Sequence, residues 1–307
     1  MYRSVLNYCL SLSTFLIAMC LLPYELLAPP LPDDILNRED AIYNDLVNRL
    51  VQDGHDPDYI KYLYGSGNDV FYYRLTKINL IQRESKDIYR RMFNEEAKRD
   101  IRAFLVKHEN QFTKMEHKYG VNRETIAAIL YVETRFGKVT GNHPVVYVLS
   151  SMTLAPADWN IEQLVEELDE LFPELTESER VEKVQWLKRR AQRKSSWAYK
   201  ELNTLLKLDK SHNLNAGDLK GSWAGAFGMP QFMPTSFEAY AVDGNGDDII
   251  DITVADDAIA SVANYLYRNG WRGTMTRQKK RKAIWRYNHS YHYVDLIEDL
   301  ANATTIN

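Results

Sequence analysis

One acidic residue, Glu133, occupies a position where helical periodicity predicts an apolar side chain. The preceding positions on the same predicted face are Ile126, Ile129 and Leu130, and residue 133 is the next step of that series. Burial raises the pKa of a carboxyl group, and a general acid that works near neutral pH needs a raised pKa. Two interpretations remain open from this pattern alone. Glu133 is either a catalytic acid or a buried glutamate paired with an arginine, for which Arg135 is close in sequence but on another side of the helix.

A glycine-rich stretch, residues 220–236, is the second candidate for a functional site. It reads KGSWAGAFGMPQFMPTS. Small residues let a ligand or another backbone approach closely, and Ser222 and Gln231 supply hydrogen-bonding groups beside them. The stretch is not a phosphate-binding loop, because the Gly-Lys-Ser/Thr ending is missing.

Four blocks of the sequence together resemble the lytic murein transglycosylase B family. The blocks are YGVNRETIAAILYVETRFG (119–137), the glycine-rich stretch, DAIASVANY (257–265) followed by Gly270-Trp271, and RYNHSYHY (286–293). Their order and approximate spacing agree with the family, so the resemblance covers roughly residues 35–300. Phe136 departs from the pattern, since many members have Trp at this place.

The resemblance implies a lysozyme-like, mainly α-helical fold and a role for each residue that matches a motif. Glu133 would be the single acid/base. The implied substrate contacts are Ser222, Gln231, Tyr287, Asn288 and, by a looser match, Tyr73.

The activity that the resemblance implies is cleavage of the β-1,4 bond between N-acetylmuramic acid and N-acetylglucosamine in peptidoglycan, with a 1,6-anhydromuramic acid product and no required cofactor. Two alternatives remain open. One is a lysozyme-type hydrolase that uses water, and the other is a glycan-binding protein without turnover. The partners expected are glycan strands and other cell-wall enzymes. A nucleic-acid role has no support, because the formal net charge is −4.

A third motif, residues 243–251, has oxygen-bearing side chains at alternate positions. These side chains belong to Asp243, Asn245, Asp247 and Asp251, and their spacing resembles a calcium-binding loop of the EF-hand type. Asp248 stands at the sixth position, where glycine is usual, and Val254 at the twelfth, where a bidentate carboxylate belongs. Asp256 or Asp257 could replace the missing carboxylate in a distorted loop. A structural calcium site and a capped turn without metal therefore both remain interpretations.

The N-terminus, residues 1–28, is typical of an export segment. Arg3 precedes an apolar run that is short and interrupted by polar residues. A cleaved signal peptide, a membrane anchor and a lipidated cysteine all remain open, and the location expected is the periplasm or cell envelope. Both cysteines, Cys9 and Cys20, lie in this segment, so the rest of the chain has no thiol for a disulfide, a nucleophile or a metal.

Helical periodicity dominates the remaining sequence, which predicts a mostly α fold, with one helix over 102–119, a next helix that Asn122 caps and a later helix that Asp256 or Asp257 caps. We expect a linker at 29–34, a helical N-terminal part of the cleft at 35–100 and a catalytic domain at 101–301. Thr176 and Glu179 form a capping-box pattern. The span 154–194, acidic and then basic, is a predicted helical insertion. It is either a solvated helical pair or a clamp for the carboxylates of peptidoglycan stem peptides.

Overall fold

The structure is a computed structural model, which describes residues 42–65, 71–81, 86–212 and 214–305. Regular structure in these ranges is almost entirely helical, which confirms the predicted fold class. The helices up to the Glu133 segment are α1 (Asn44–Gln52), α2 (Pro57–Tyr64), α3 (Tyr73–Ile81), α4 (Lys86–Met92), α5 (Glu95–Lys107), α6 (Glu109–Tyr119) and α7 (Arg123–Thr134). Those that follow are α8 (Val145–Thr153), α9 (Asp158–Glu166), α10 (Leu168–Leu171), α11 (Glu177–His212), α12 (Pro234–Tyr240), α13 (Ala255–Arg268), α14 (Arg277–Tyr287) and α15 (Tyr291–Ala303).

The centre of the molecule is α7, the helix that carries Glu133. All its residues from 125 to 134 are buried, because α5, α13 and α15 pack around it. One hydrophobic cluster extends from Tyr43 to Leu300 and includes the apolar side chains of α7. The helices before residue 100 therefore share a core with those after it.

A small antiparallel sheet joins the segment after α7 to the glycine-rich stretch. Its strands are β1 (His143–Pro144) and β2 (Lys220–Gly221), with His143 opposite Gly221. Gly221 has no room for a side chain, because an added Cβ would lie 2.2 Å from the carbonyl oxygen of Ala226. The predicted close approach of backbones at the glycine-rich stretch is thus present in the structure.

Several predicted helix boundaries were wrong in detail. The single helix predicted over 102–119 is two helices, since the chain breaks at His108 between α5 and α6. Asn122 occupies the position before α7, but its side chain accepts a hydrogen bond from Lys280 rather than capping the helix. Neither Asp256 nor Asp257 caps α13, because the helix already begins at Ala255 and Val254 occupies the position before it.

The charged insertion, 154–194, comprises α9, α10 and the first half of the 36-residue helix α11. The capping box at its start is confirmed, because the Glu179 carboxylate accepts hydrogen bonds from the backbone N–H and the hydroxyl of Thr176. Towards its C-terminal half α11 packs against α8, and Lys194 is buried there. Only part of this insertion is therefore a solvated helical pair.

The predicted export segment at 1–28 and the linker at 29–34 lie outside the described residues. Of the helices that the structure describes, none combines the length and the apolar character needed to cross a membrane.

Gly228 offers a test of the close packing around the glycine-rich stretch. Its φ is +72°, and an added Cβ would lie 2.5 Å from Cγ1 of Ile252. We expect Gly228→Ala to lower the free energy of unfolding by about 2–5 kcal/mol, from left-handed strain and overpacking together. Gly246, with φ +85° and open space around it, is the matched control. Gly246→Ala should lower the free energy of unfolding only through left-handed strain, by about 1–2 kcal/mol. Equal losses in urea unfolding of the two variants would contradict the close contact.

Candidate active site

Glu133 lies near the C-terminal end of α7 and is 4% exposed. The hydroxyl of Tyr293 donates a hydrogen bond to its Oε1 over 2.8 Å. Its Oε2 is buried and has no hydrogen-bond partner among the described residues. Burial raises the pKa of Glu133 to about 8, and the Tyr293 hydrogen bond opposes that rise. The carboxyl group is therefore mostly protonated at neutral pH, and one of its oxygens is left for a ligand.

The arrangement favours the acid interpretation over a glutamate paired with arginine. Within the described ranges, burial and Tyr293 are the two influences that shift the pKa of Glu133, and no arginine contributes. Arg135 follows the end of α7 in a left-handed conformation with φ +50°. Among the described residues, no second carboxylate shifts the pKa of Glu133 either.

Tyr293 is the site residue that the sequence analysis missed. It lies inside the fourth family block but was assigned no role there. Ser290 marks the start of α15, since its Oγ accepts the backbone N–H of Tyr293 over 3.3 Å. This cap and the packing of α15 on α7 bring the tyrosine to Glu133. The sequence signal was the serine three residues before Tyr293, at the beginning of a predicted helix.

The predicted residues Tyr287 and Asn288 lie at the end of α14, just before α15, and Tyr287 lies beside Tyr293. The rings of Tyr287 and Tyr293 are nearly parallel, with centroids 6.4 Å apart. Burial, and then the negative charge of Glu133, raise the pKa of Tyr287 well above its usual value, so its hydroxyl stays protonated. That hydroxyl donates to the carbonyl oxygen of Pro230. Asn288 is buried, and its side-chain oxygen and nitrogen have no partner in the described part of the chain.

Ser222 and Gln231 hold the glycine-rich stretch in shape. The Oγ of Ser222 accepts the backbone N–H of Ala226 over 3.1 Å, and the residue is 1% exposed. The Nε2 of Gln231 donates to the carbonyl oxygens of Thr140 and Gly228. Direct contact of either side chain with substrate stays a prediction.

Thr134 connects the glycine-rich stretch to the end of α7. Its hydroxyl donates to the carbonyl oxygen of Met229 over 2.8 Å and accepts the backbone N–H of Gly137 over 2.9 Å. Because Thr134 directly follows Glu133, these bonds fix the carboxyl group relative to the glycine-rich wall.

Tyr287 also borders a surface pocket. Tyr287 and Gln231 line it together with Lys194 and Trp197 of α11, whereas Glu133 does not. Burial first, and then the positive charge of Arg190, lower the pKa of Lys194 to about 7. The charged insertion thus contributes a wall beside the motif residues, and its role as a carboxylate clamp stays a prediction.

Tyr73 lies in a separate hydrophobic cluster, with Phe71 of the same segment and Ile161 of α9. Its hydroxyl donates to Oε1 of Glu167 over 2.9 Å. The structure therefore brings Tyr73 to the charged insertion rather than to Tyr293, and its contact with substrate stays a prediction.

The side chains of the 243–251 loop bind the loop's own backbone. The Asp243 carboxylate accepts hydrogen bonds from the backbone N–H groups of Gly246 and Asp248. Three further side chains each accept a hydrogen bond from the backbone N–H of the second residue after them, namely Asn245, Asp247 and Asp251. In the residues that the structure describes, no three Asp, Glu, His or Cys side chains converge in a way that could hold a metal ion. Asp248 has φ +66°, so it adopts the left-handed conformation for which glycine is usual. Asp257 reaches into the loop, where its carboxylate accepts the N–H groups of Gly244 and Asp251.

The raised pKa of Glu133 makes the stability of the protein depend on pH. The folded state holds the proton up to about pH 8, whereas the unfolded chain releases it near 4.5. The contribution of Glu133 to the free energy of unfolding is therefore greatest below pH 4.5. It is lost as the pH rises to 8, by at most about 1.4 kcal/mol per pH unit. Glu133→Gln removes this loss, so we expect its melting temperature to exceed that of the wild type at pH 9 and to approach it at pH 5.

The control for this prediction is Glu162→Gln, which changes an exposed carboxyl group on α9. Its melting temperature should follow the wild type at both pH values. A difference between Glu133→Gln and the wild type that does not change with pH would contradict the raised pKa.

Comparisons with known proteins agree with this geometry. Residues 43–280 match the family model described as the Transglycosylase SLT domain. The chain is 33% identical over 169 residues to the membrane-bound lytic murein transglycosylase B of Escherichia coli, a match that covers 55% of this chain and 37% of that relative. The chain thus spans less than half the length of the curated relative.

Solved structures show the same fold. The E. coli lytic transglycosylase SLT35 in complex with calcium has a TM-score of 0.66 and 22% identity, covering 86% of this chain and 92% of the other. SltB3 from Pseudomonas aeruginosa, in complex with NAG-anhNAM-pentapeptide, has a TM-score of 0.65 and 19% identity, covering 87% and 78%. The lysozyme-like fold and the family model matched over 43–280 lead to one conclusion: this chain belongs to the Transglycosylase SLT domain family.

Proposed function

We propose that the protein is a lytic transglycosylase that cleaves the β-1,4 bond between N-acetylmuramic acid and N-acetylglucosamine in peptidoglycan. The observation that carries the proposal is the buried Glu133 carboxyl group, with a pKa of about 8 and one oxygen without a partner in the described residues. Membership of the family and the glycan-fragment complex of SltB3 support the substrate class.

The reaction needs one carboxyl group that acts twice. Protonated Glu133 gives its proton to the bridging oxygen as the bond from that oxygen to the muramic acid C1 breaks, and positive charge develops on the ring. The resulting carboxylate then takes the proton of the muramic acid 6-hydroxyl as that oxygen bonds to C1. The product is a 1,6-anhydro sugar, no water is consumed, and Glu133 regains its proton.

The surroundings of Glu133 suit both steps. Protonation at neutral pH prepares the acid, and the Tyr293 hydrogen bond stabilises the carboxylate that forms after proton transfer. Tyr287 and Asn288 would flank the scissile bond, since Tyr287 lies beside Tyr293 and the adjacent Asn288 has a donor and an acceptor left for a sugar. A two-carboxylate hydrolase is less well supported, because no second acidic group in the described ranges shifts the pKa of Glu133.

We further propose that the protein is exported and acts in the cell envelope. The N-terminal export pattern and the peptidoglycan substrate support this, and the E. coli relative is named as membrane-bound.

We also propose that the 243–251 loop binds calcium as a structural ion. Asp257 would supply the carboxylate that the sequence lacks at the twelfth position, and burial and the nearby charge of Asp243 raise the pKa of Asp257. A cation would relieve that repulsion, provided that the loop side chains turn from the backbone N–H groups to the ion. The fold relative SLT35 was solved with calcium.

Catalysis by Glu133 is tested by analysing the muropeptides that the full chain releases from purified peptidoglycan. We expect the wild type to release 1,6-anhydro products and Glu133→Gln to lose about 10²–10⁴-fold of that activity, because an amide cannot transfer the proton. The Glu162→Gln variant should keep wild-type activity. Products with reducing muramic acid ends would contradict transglycosylation, and a fully active Glu133→Gln would contradict the assigned role.

The calcium proposal is tested by thermal unfolding after treatment with EDTA. Calcium added at 100 times its dissociation constant should stabilise the fold by about 2.7 kcal/mol, whereas magnesium should stabilise it much less. Asp243→Asn should abolish the effect of calcium. Asp248→Asn, at a position that would not bind the ion, is the control and should retain it. A melting temperature that calcium does not change would contradict the site.

A further inference from the structure

Three aromatic side chains form a ridge at the rim of the pocket that Gln231 and Tyr287 line. His289 belongs to the pocket wall, and its ring centroid lies 4.1 Å from that of Trp285. Trp285 in turn lies 6.4 Å from Tyr291, at an interplanar angle of 37°. The three rings thus contact one another in succession from the pocket wall to Tyr291, with Trp285 and His289 edge to face at 73°, and we call them the aromatic ridge.

Tyr291 is an exposed tyrosine that lies beside another aromatic ring of the ridge, Trp285. It is 70% exposed, although it occupies the first position of α15, whose residue Tyr293 is fully buried against Glu133. Its exposure is explained if a ligand covers it, as at binding surfaces where one end of the side chain is apolar and the other polar.

The chemistry of the ridge suits a sugar chain. One face of a pyranose ring presents C–H groups, which pack on an aromatic face, while the sugar hydroxyl groups remain available to the tyrosine hydroxyl and to water. The ridge also adjoins the pocket that Tyr287 and Gln231 line, because the short turn after α14 places His289 in the wall of that pocket. A strand bound at Tyr287 would therefore extend across these rings.

We propose that the aromatic ridge of Trp285, His289 and Tyr291 is an accessory subsite that stacks sugar units of a glycan strand away from the bond being cut. This inference rests on the proposed function and deepens it. The ridge would increase the affinity for long strands and take no part in proton transfer. Short substrates that occupy only the sites around Glu133 would not reach it.

The experiment compares cleavage of long, uncrosslinked glycan strands with cleavage of a tetrasaccharide by the full chain. We expect Tyr291→Ala to lower kcat/KM on long strands about threefold to tenfold through KM, as befits the loss of one aromatic contact. Its kcat/KM on the tetrasaccharide should not change. Tyr291→Phe keeps the ring and should behave as the wild type on both substrates.

The matched control is Tyr62→Ala, since Tyr62 is 71% exposed and lies on α2. It should match the wild type on both substrates, and all variants should keep the wild-type melting temperature. The ridge proposal is overturned if Tyr291→Ala cleaves long strands as well as the wild type, or if it loses the same factor on both substrates. Wild-type protein that cleaves neither substrate would instead overturn the proposed function, so the two failures are distinguishable.

Discussion

The candidate active site depends on the free-energy cost of burying the charged form of the Glu133 carboxyl group away from water. Desolvation disfavours its charged form, and a single hydrogen bond from Tyr293 compensates only in part. Complete compensation, for example by an arginine, would leave a permanent carboxylate that cannot act as an acid near neutral pH. Without any hydrogen bond, the charged carboxylate would be so unfavourable that the group could not give up its proton. The balance between burial and one tyrosine is what allows the same group to act as acid and then as base.

Much of the surrounding packing maintains that balance. Helix α7 is buried from residue 125 to residue 134, which keeps water away from the Glu133 carboxyl group. Thr134 joins its end to the glycine-rich wall, and α15 brings Tyr293 from the far end of the chain. Elements distant in sequence therefore meet at one carboxyl group, and a displacement in any of them alters its exposure to water.

The sequence was sufficient for the fold class and for the position of Glu133, because both follow from helical periodicity and from motifs with fixed spacing. The glycine-rich stretch was also predictable, since close approach of backbones excludes a Cβ. The role of Tyr293 was not, because its hydrogen bond to Glu133 joins residues 160 positions apart. Periodicity describes which face of a helix is apolar, but it does not report which distant side chain reaches a buried acid.

The same limit explains the smaller errors. The break at His108 arises within a segment whose apolar spacing continues across it, so the pattern gives no sign of two helices. Lys194 ends the basic part of the span 154–194, whose charge favours a solvated surface, yet α11 packs against α8 there and buries it beside the pocket. In both places the tertiary partner decides the outcome, and local sequence does not contain it.

The most direct test of the account is the titration of the Glu133 carboxyl group itself. In protein labelled with ¹³C at glutamate side-chain carboxyl groups, the Glu133 signal is identified by its loss in Glu133→Gln and followed with pH. The account predicts a midpoint near pH 8 in the wild type and a higher midpoint in Tyr293→Phe, where the carboxylate loses its hydrogen bond. A wild-type midpoint near the ordinary value of 4.5 would contradict it.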